Sequence, residues 1–254
     1  MNEKRIIFSE PVLYDIFNSN CTDDIGMYLE MCKNNGSVLE LGIGTGRVAI
    51  PLAKAGIPVF GIDNSRETLS FLERKINENG LRNIIVTNQD MRNLNLNLKF
   101  KIIICPFCTF NFLLKVNDQE RSIDAIVRHM YRDSIIIFDL LTINTFKDAF
   151  CCNELEYYDT YFGSEQTSRI DIYIKNEFDQ SNQIITQERI FRWNNPNDVV
   201  EECRTNMKNR FFFLCEFQFL LEKYGLRIFK IYGDYNFSPY RRESKSLVVM
   251  ACLN

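Results

Sequence analysis

Short, almost continuous runs of Ile, Val and Leu alternate with helical patterns through the first 145 residues, and this alternation strongly constrains the fold. The runs are SVLELG, IPVFGID, NIIVTNQD, FKIIICPF and SIIIFDLL. Strands of a parallel sheet are covered on both faces and therefore lack a polar face, and the helices between them form the crossovers. The pattern predicts a doubly wound α/β domain.

Helical spacing fills the segments between these runs. It predicts a helix from Arg47 to Ala55, a helix that opens with a capping box at Asn64 and Glu67, and a helix over roughly residues 118–131. Residues 11–33 have the same spacing and predict one or two short helices before NNG. We interpret residues 1–36 as an N-terminal helical cap and residues 37–145 as the α/β core.

The pattern changes after Leu141. The segment RIDIYIKNEFDQSNQIITQERIFRW alternates around a polar turn at residues 179–182, which predicts an antiparallel hairpin with one solvated face. We interpret residues 146–209 as an inserted antiparallel lid. In residues 210–254, FFFLCEFQFLLEKYG predicts a helix, and two last strands without room for a crossover must pair antiparallel. The complete sheet is predicted to be mixed and seven-stranded.

Charge and cysteine content argue against several classes of protein. The formal net charge of −3 gives no basic footprint for a nucleic acid. The N-terminal segment MNEKRIIFSEPVLYDIF is charged, and no apolar run approaches ~18 residues, so we expect a cytoplasmic protein without a membrane partner. The nine cysteines are then expected to be reduced. Because CPFC has no second closely spaced pair and His129 is the single histidine, no metal site is expected.

Three glycines at alternate positions, Gly42, Gly44 and Gly46, lie between the first strand and the helix that follows. Glycine at such a turn allows positive φ and lets a ligand approach the backbone. In the dinucleotide fingerprint GxGxxG the third glycine comes one residue later, and here Arg47 takes that place. The offset argues against a dinucleotide, and therefore against a nicotinamide-dependent oxidoreductase.

Acidic residues come at the ends of the first three strands. Glu40 precedes the glycines, and Asp63 ends the second strand, where a carboxylate can accept hydrogen bonds from both hydroxyls of a ribose. Asp90 with Met91 ends the third strand and offers an acceptor for an exocyclic amine beside a polarisable thioether. The three positions fit a nucleoside without a pyrophosphate, and S-adenosylmethionine is such a ligand.

The segments VLELGIGTGRVAIPLAKAG, VFGIDNSRETL, NQDMRNL and CPFCTFNFLL follow one another along the chain. In this order they resemble the motifs of class I S-adenosylmethionine-dependent methyltransferases, and more narrowly those of bacterial small-molecule N- and O-methyltransferases. The closing YGDYNFSPYRRESKSLVVMA is similar to the C-terminal hairpin of that group. The resemblance covers nearly the whole chain and implies a Rossmann-like methyltransferase fold with S-adenosylmethionine as the cofactor.

The resemblance also implies roles for single residues. Gly42 and Gly44 would approach the methionine portion of the cofactor, Asp63 the ribose, and Asp90 with Met91 the adenine.

Two aromatic residues complete the predicted site. Phe107, just past the fourth strand, would lie beside cofactor and acceptor, and Tyr14 resembles a tyrosine that closes over the cofactor. The predicted cofactor-binding residues are Tyr14, Glu40, Gly42, Gly44, Gly46, Arg47, Asp63, Asn64, Asp90, Met91 and Phe107. The acceptor-site candidates are Asp139, Phe107, Asn111 and Tyr14.

We therefore predict methyl transfer by in-line displacement to a nitrogen, less readily to an oxygen, of a small-molecule acceptor. The donor is already activated, so positioning and desolvation can supply much of the barrier lowering. His129 lies late in a helix and is interpreted as structural, and the lack of a convincing base favours nitrogen. The alternative is a non-catalytic regulatory protein that binds S-adenosylmethionine.

Overall fold

The computed structural model describes residues 10–145, 154–162, 169–195 and 198–254. The first nine residues of the predicted cap, and residues 146–153, 163–168 and 196–197 of the predicted lid, lie outside this range. The chain divides into two compact units. We call Thr22–Phe146 with Arg210–Asn254 the core unit, and Met1–Cys21 with Lys147–Asn209 the insertion unit.

The secondary structure follows the predicted alternation. In chain order the elements are α1 (Glu10–Phe17), α2 (Ile25–Cys32), β1 (Val38–Leu41), α3 (Ala49–Lys54), β2 (Val59–Asp63), α4 (Arg66–Glu78), β3 (Ile84–Asn88), β4 (Phe100–Cys105), α5 (Val116–Arg128), β5 (Met130–Leu141), β6 (Glu156–Phe162), β7 (Arg169–Asp179), β8 (Ile184–Asn194), β9 (Val200–Arg210), α6 (Leu214–Lys223), β10 (Leu226–Tyr232) and β11 (Ser246–Leu253). Two 3₁₀ turns, Met91–Asn93 and Thr109–Phe112, follow β3 and β4. None of the helices in these ranges is both long and apolar enough to span a membrane.

The core unit contains a seven-stranded sheet in the order β10-β11-β5-β4-β1-β2-β3. The strands β1 to β5 pair in parallel, whereas β11 pairs antiparallel with both β5 and β10. The predicted mixed sheet of seven strands and its antiparallel last pair are therefore confirmed. Because β1 lies between β2 and β4, the chain leaves β1 in one direction and returns on its other side. Ligands of open α/β sheets bind in the crevice at such a reversal, at the carboxyl ends of the strands.

Apolar residues cover both faces of this sheet. One cluster includes Leu39, Ile103 and Phe138, and the other includes Val38, Ile102 and Ile137. Neighbouring residues of one strand therefore belong to opposite clusters, as the period of two along a strand requires. Burial on both faces explains why these strands are apolar throughout, and it fixes the strand ends at which the polar residues come together.

The insertion unit contains a second sheet of four strands in the order β6-β7-β8-β9. The pairs β6–β7 and β7–β8 are antiparallel, so the predicted hairpin is confirmed. Helix α1 packs Leu13 and Ile16 against Ile172 and Phe191 of this sheet. By its contacts α1 groups with the insertion unit, whereas α2 groups with the core unit.

The prediction of a capping box at Asn64 and Glu67 is wrong. Helix α4 begins at Arg66, and its N-cap is Ser65, whose hydroxyl accepts the N–H of Thr68 at 3.2 Å. The cause is Asp63, which accepts the Ser65 N–H at 2.9 Å and turns the chain directly after β2. The helix therefore begins one residue later than the spacing suggests.

Two other helices also differ at their ends from the prediction. Helix α3 begins at Ala49, two residues after the predicted start, because Arg47 and Val48 belong to the turn that follows the glycines. Helix α5 ends at Arg128, and β5 then begins at Met130. The core of each predicted helix is present.

We expect Gly61→Ala to destabilise the protein by about 1–3 kcal/mol through overpacking. Gly61 is buried in β2, and an added Cβ would lie 2.1 Å from Cδ1 and 2.8 Å from Cβ of Ile43 in the glycine loop. Gly26→Ala is the matched control, because it lies in α2 with no atom within 4 Å of an added Cβ. The control should be neutral or stabilising by about 0.5–1 kcal/mol. Urea unfolding midpoints measure both changes, and equal midpoints for the two variants would contradict the expected packing.

Candidate active site

The loop between β1 and α3 turns on three glycines with distinct surroundings. A Cβ at Gly42 would lie 2.3 Å from Cγ2 of Thr109, and one at Gly46 would lie 2.5 Å from Cδ1 of Leu72. These two glycines allow close packing within the protein. At Gly44, with φ of 55°, the nearest heavy atom to an added Cβ is 3.9 Å away. Gly44 therefore leaves open space beside the backbone, which a ligand can occupy.

Asp63 fixes this loop from the end of β2. Its Oδ2 accepts the N–H of Gly44 at 3.0 Å, and its Oδ1 accepts the N–H of Ser65 at 2.9 Å. The half-buried carboxylate thus joins the glycine loop to the start of α4, and each oxygen keeps a lone pair for a further donor. Asn64 beside it is exposed, and its predicted part in binding stays a prediction.

Asp90 lies after β3 and is occupied by an arginine. It caps the 3₁₀ turn that begins at Met91 by accepting the backbone N–H of Arg92 at 2.8 Å, and Nε of Arg92 contacts both carboxylate oxygens at 3.0 Å. These hydrogen bonds hold the pKa of Asp90 below its usual value. Arg92 also reaches Asp118 at 3.3 Å. The carboxylate is therefore ionised and held in place, and its contact with adenine stays a prediction.

A salt bridge that the sequence did not predict crosses the far end of the glycine loop. Arg47 donates to both oxygens of Asp24, at 2.6 and 2.5 Å. The guanidinium also lies 3.9 Å from the centre of the Phe107 ring. Only 3% of the Asp24 side chain is exposed. Arg47 therefore joins the start of α2, the glycine loop and the loop after β4.

Glu40, at the end of β1, is a buried acid with an unused oxygen. The residue is 2% exposed, and among the residues of the structure its Oε2 has no hydrogen-bond partner. Burial raises its pKa to about 8, against the opposing effect of Arg47. A buried unpaired carboxyl is costly unless a ligand supplies a partner.

Asp139, in β5, is a second acid of this kind. It is 1% exposed, and its Oδ2 accepts the N–H of Phe107 at 3.1 Å and the hydroxyl of Tyr235 at 3.0 Å. Its Oδ1 has no partner within the described part of the chain. Burial, reinforced by the charge of Asp24, raises the pKa of Asp139 to about 7.

Two tyrosines that the sequence did not single out line the same cluster. Tyr28, in α2, is completely buried, and its hydroxyl has no hydrogen-bond partner within the described ranges. Burial and the nearby Asp139 and Asp24 raise its pKa well above the usual value. Burial, followed by the charge of Asp139, does the same to Tyr235. Helical spacing made Tyr28 look like an ordinary core residue, and Tyr235 lies in a turn of the closing segment, whose resemblance assigned no role to a single residue.

These acids act on each other electrostatically. Asp24 and Asp63 raise the pKa of Glu40, Asp24 raises that of Asp139, and Arg47 lowers both. The carboxyl groups of Asp24, Glu40 and Asp139 thus lie near the Arg47 guanidinium, and the Asp63 carboxylate acts on Glu40. An excess of acids in a buried site favours a bound cation.

Asn111 has a role that the acceptor-site prediction did not include. It is completely buried, and its Nδ2 donates to the carbonyl oxygen of Arg210 at 2.6 Å and to that of Leu141 at 3.4 Å. Its Oδ1 accepts the Leu141 N–H at 3.1 Å. These bonds occupy both ends of the amide, so the structure gives Asn111 a bracing role.

His129 accepts the N–H of Leu96 at Nε2 and contacts the carbonyl oxygen of Ala125 at Nδ1, so its interpretation as structural agrees with its contacts. Tyr14 lies in α1 of the insertion unit, and its role over the cofactor stays a prediction. Burial raises the pKa values of the Cys105 and Cys108 thiols, which disfavours the reactive thiolate.

Comparison with known proteins agrees with this geometry. Residues 38–133 match the family described as "Methyltransferase domain". The chain carries a class I, S-adenosylmethionine-dependent methyltransferase domain. Over 219 residues this chain is 26% identical to YqeM of Bacillus subtilis (strain 168), a protein named provisionally as a methyltransferase. The alignment covers 85% of this chain and 83% of YqeM.

Solved structures show the same fold along nearly the whole chain. A crystal structure of an S-adenosylmethionine-dependent methyltransferase from Clostridium acetobutylicum ATCC 824 aligns with a TM-score of 0.79 and 21% identity, covering 95% of this chain and 96% of the other. The sugar N-methyltransferase KedS8 from Streptoalloteichus sp ATCC 53650 aligns with a TM-score of 0.75 and 15% identity, covering 95% and 92%. The protein is an enzyme whose cofactor is S-adenosylmethionine.

The residues of the site fit this cofactor. S-adenosylmethionine carries a positive sulfonium and a positive amino group, which match the excess of acids. The unpartnered Oε2 of Glu40 would be an acceptor for the ammonium group, and the open space at Gly44 would leave room beside the glycine loop. The Asp63 carboxylate, held by two backbone N–H groups, remains able to accept from ribose hydroxyls.

We expect the affinity for S-adenosylmethionine to rise with pH up to about 8. A cationic ligand favours the ionised form of Glu40, and the pKa of about 8 in the free enzyme means that a proton must first leave. Binding should therefore strengthen by up to tenfold per pH unit between pH 6 and 8. In Glu40→Gln this slope should be smaller and the affinity lower. Isothermal titration in buffers of different ionisation enthalpy measures both the affinity and the released proton.

Stability provides an independent measurement on the same variant. The pKa of Glu40 is raised on folding, so stability is highest below its unfolded value and falls as pH rises through about 8. Glu40→Gln should flatten this fall. Glu67→Gln, an exposed substitution in the first turn of α4, is the control and should change neither slope. If Glu40→Gln binds the cofactor with the wild-type pH dependence, Glu40 has no part in binding it.

Proposed function

We propose that this methyltransferase transfers the methyl group to a nitrogen atom of a small-molecule acceptor. The observation that carries the proposal is the buried carboxyl group of Asp139, near the ligand-binding edge of the sheet, with one oxygen that has no partner among the described residues. The similarity in fold to a sugar N-methyltransferase supports the same choice of acceptor atom.

The properties of Asp139 suit an amine better than an alcohol. An amine in neutral water is largely an ammonium ion and must lose a proton before its lone pair can attack. A carboxylate whose pKa is about 7 can take that proton near neutral pH, and its negative charge attracts the ammonium. An alcohol is a far weaker acid, so the same carboxylate would deprotonate it poorly.

The other residues bind, orient and exclude water. S-adenosylmethionine supplies a methyl group already activated by its attachment to a sulfonium. The glycine loop and Asp63 would hold the donor, while Tyr235 and the N–H of Phe107 fix one oxygen of Asp139 so that the other can face the acceptor. Correct positioning of two reactants can lower the barrier by roughly 7–11 kcal/mol, so a stronger base is not required.

We expect Asp139→Asn to lower kcat by about 100-fold with an amine acceptor while the Kd for S-adenosylmethionine changes little, because the lost group acts on the acceptor proton. The wild-type rate should rise with pH through about 7, as Asp139 ionises, and this rise should be absent in the variant. Release of S-adenosylhomocysteine measures the rate. Asp133→Asn is the control, since Asp133 lies in the same strand but is exposed and paired with Lys101.

A panel of matched acceptors tests whether the methyl group goes to nitrogen or to oxygen. Primary amines and the alcohols of the same carbon skeletons are offered to the wild-type enzyme, and the methylated products are identified by mass spectrometry. Methylated amines with unmodified alcohols support the proposal. Methylation of the alcohols in preference to their amines overturns it, and so does a wild-type rate in Asp139→Asn.

A further inference from the structure

Arg189 differs from the other arginines of the insertion sheet in its partners. It lies in β8, and on the same side of this strand as Gln187, Phe191 and Trp193, because side chains two residues apart share one face of a sheet. Its Nε donates to Oε1 of Gln187 at 2.7 Å, and its Nη2 contacts Sδ of Met207 at 3.7 Å. Neither partner carries a charge.

Neighbouring arginines are neutralised. Arg192, three residues further along β8, donates to Glu202 at 2.8 Å, and Arg204 of β9 contacts Glu188 at 3.1 Å and Glu202 at 2.6 Å. Arg189 forms no such pair with a carboxylate in the described part of the chain. A guanidinium has five N–H donors, and the two contacts of Arg189 leave three of them unused.

Aromatic rings hold the Arg189 guanidinium in a fixed place. Its central carbon lies 3.7 Å from the centre of the Phe17 ring. Phe17 in turn stacks on Tyr158 with ring centres 5.0 Å apart and an angle of 12° between the planes. A guanidinium stacked on a ring keeps its planar edge free for bidentate hydrogen bonds to a carboxylate or phosphate.

Amide side chains continue the polar strip beside Arg189. Gln187 donates from Nε2 to Oδ1 of Asn176 on β7 at 3.0 Å, while its Oε1 accepts from Arg189. Both amides are only 7% exposed. The hydrogen bonds that link Asn176, Gln187 and Arg189 therefore orient the guanidinium from one side. A second-layer network that fixes a charged side chain is typical of a binding site.

Arg189 keeps its positive charge at neutral pH although it is half-buried. Burial lowers the pKa of its guanidinium to about 10, which leaves it protonated at neutral pH. The phenol groups of Tyr14 and Tyr158 and the thiol of Cys21 contribute in the opposite direction. A half-buried cation without a counter-charge is unfavourable, and an anion bound beside it would offset that cost.

We propose that Arg189, positioned by Gln187 and by the ring of Phe17, forms a binding site in the insertion unit for the carboxylate or phosphate group of a small molecule. The site goes beyond the proposed methyl transfer, and all its residues belong to the insertion unit. Carboxylate and phosphate each present a pair of oxygen atoms that can accept the two parallel hydrogen bonds of the guanidinium.

Three aromatic probes test the site. Phenyl phosphate and benzoate carry the two anions on a ring that can stack on the aromatic residues, and benzamide is the neutral counterpart of benzoate. The fluorescence of Trp193, the single tryptophan, reports binding because it lies on the same face of β8 as Arg189. Thermal melting at constant ionic strength provides a second reading on the full-length protein.

We expect saturable binding of at least one anion, at least about tenfold tighter than benzamide, which corresponds to a charged hydrogen-bonded pair. Arg189→Gln should weaken it by about tenfold or more, and Arg189→Lys, which keeps the charge but not the fork, by less. Arg192→Gln is the matched control, in the same strand and with its guanidinium 4.9 Å from the ring of Tyr173, and should bind like the wild type. Arg189→Lys carries the test if Arg189→Gln does not fold.

Whichever of phenyl phosphate and benzoate binds more tightly then identifies the ligand as a phosphate or a carboxylate. Failure of both anions to saturate, equal binding of benzamide, or equal losses in Arg189→Gln and Arg192→Gln overturns the site. Each sample is also titrated with S-adenosylmethionine. A wild-type protein that binds the cofactor and methylates amines but binds neither anion separates failure of this inference from failure of the proposed function.

Discussion

The salt bridge between Arg47 and Asp24 is the contact on which the arrangement of the active site depends. It joins three segments that are far apart in sequence, because the guanidinium also lies against Phe107 beyond β4. Phe107 in turn donates its N–H to Asp139. Loss of the Arg47 charge would leave Asp24 buried and unpaired. Removing one partner of a buried ion pair destabilises a protein more than replacing both partners by apolar residues.

Several acids are buried around this salt bridge, and burying their ionised forms would by itself be unfavourable. Burial raises the pKa of Glu40 to about 8 and that of Asp139 to about 7, so in the free enzyme at neutral pH Glu40 is mostly protonated and Asp139 is partly protonated. A cationic donor then exchanges a proton for a stronger electrostatic partner. Because burial makes ionisation of these carboxyl groups unfavourable, they favour a positively charged ligand that stabilises their ionised form.

The fold was predictable from the sequence because its signals are local. Apolar runs marked the strands, and the short connection before β11 required antiparallel pairing. Gly44 and Asp63 were also predictable, since each lies directly at the end of a strand. By contrast, Asp24 and Tyr28 come to the site from a segment without a motif, and Tyr235 comes from the closing segment, whose resemblance assigned no role to a single residue. Only the three-dimensional fold brings them near Asp139. The N-cap of α4 was missed because a hydrogen bond to Asp63 moved the helix start by one residue.

The brace formed by Asn111 bears on how such a chain can change during evolution. One amide binds the backbone at Leu141, where the chain leaves β5, and at Arg210, where it returns before α6. The N–H of Phe212 also bonds to the Leu141 carbonyl oxygen at 3.2 Å. The two ends of the intervening segment are thus fastened side by side within the core unit. A segment anchored in this way can lengthen or exchange its strands at a small cost in chain entropy, which leaves the sheet as a constant platform for diverging insertions.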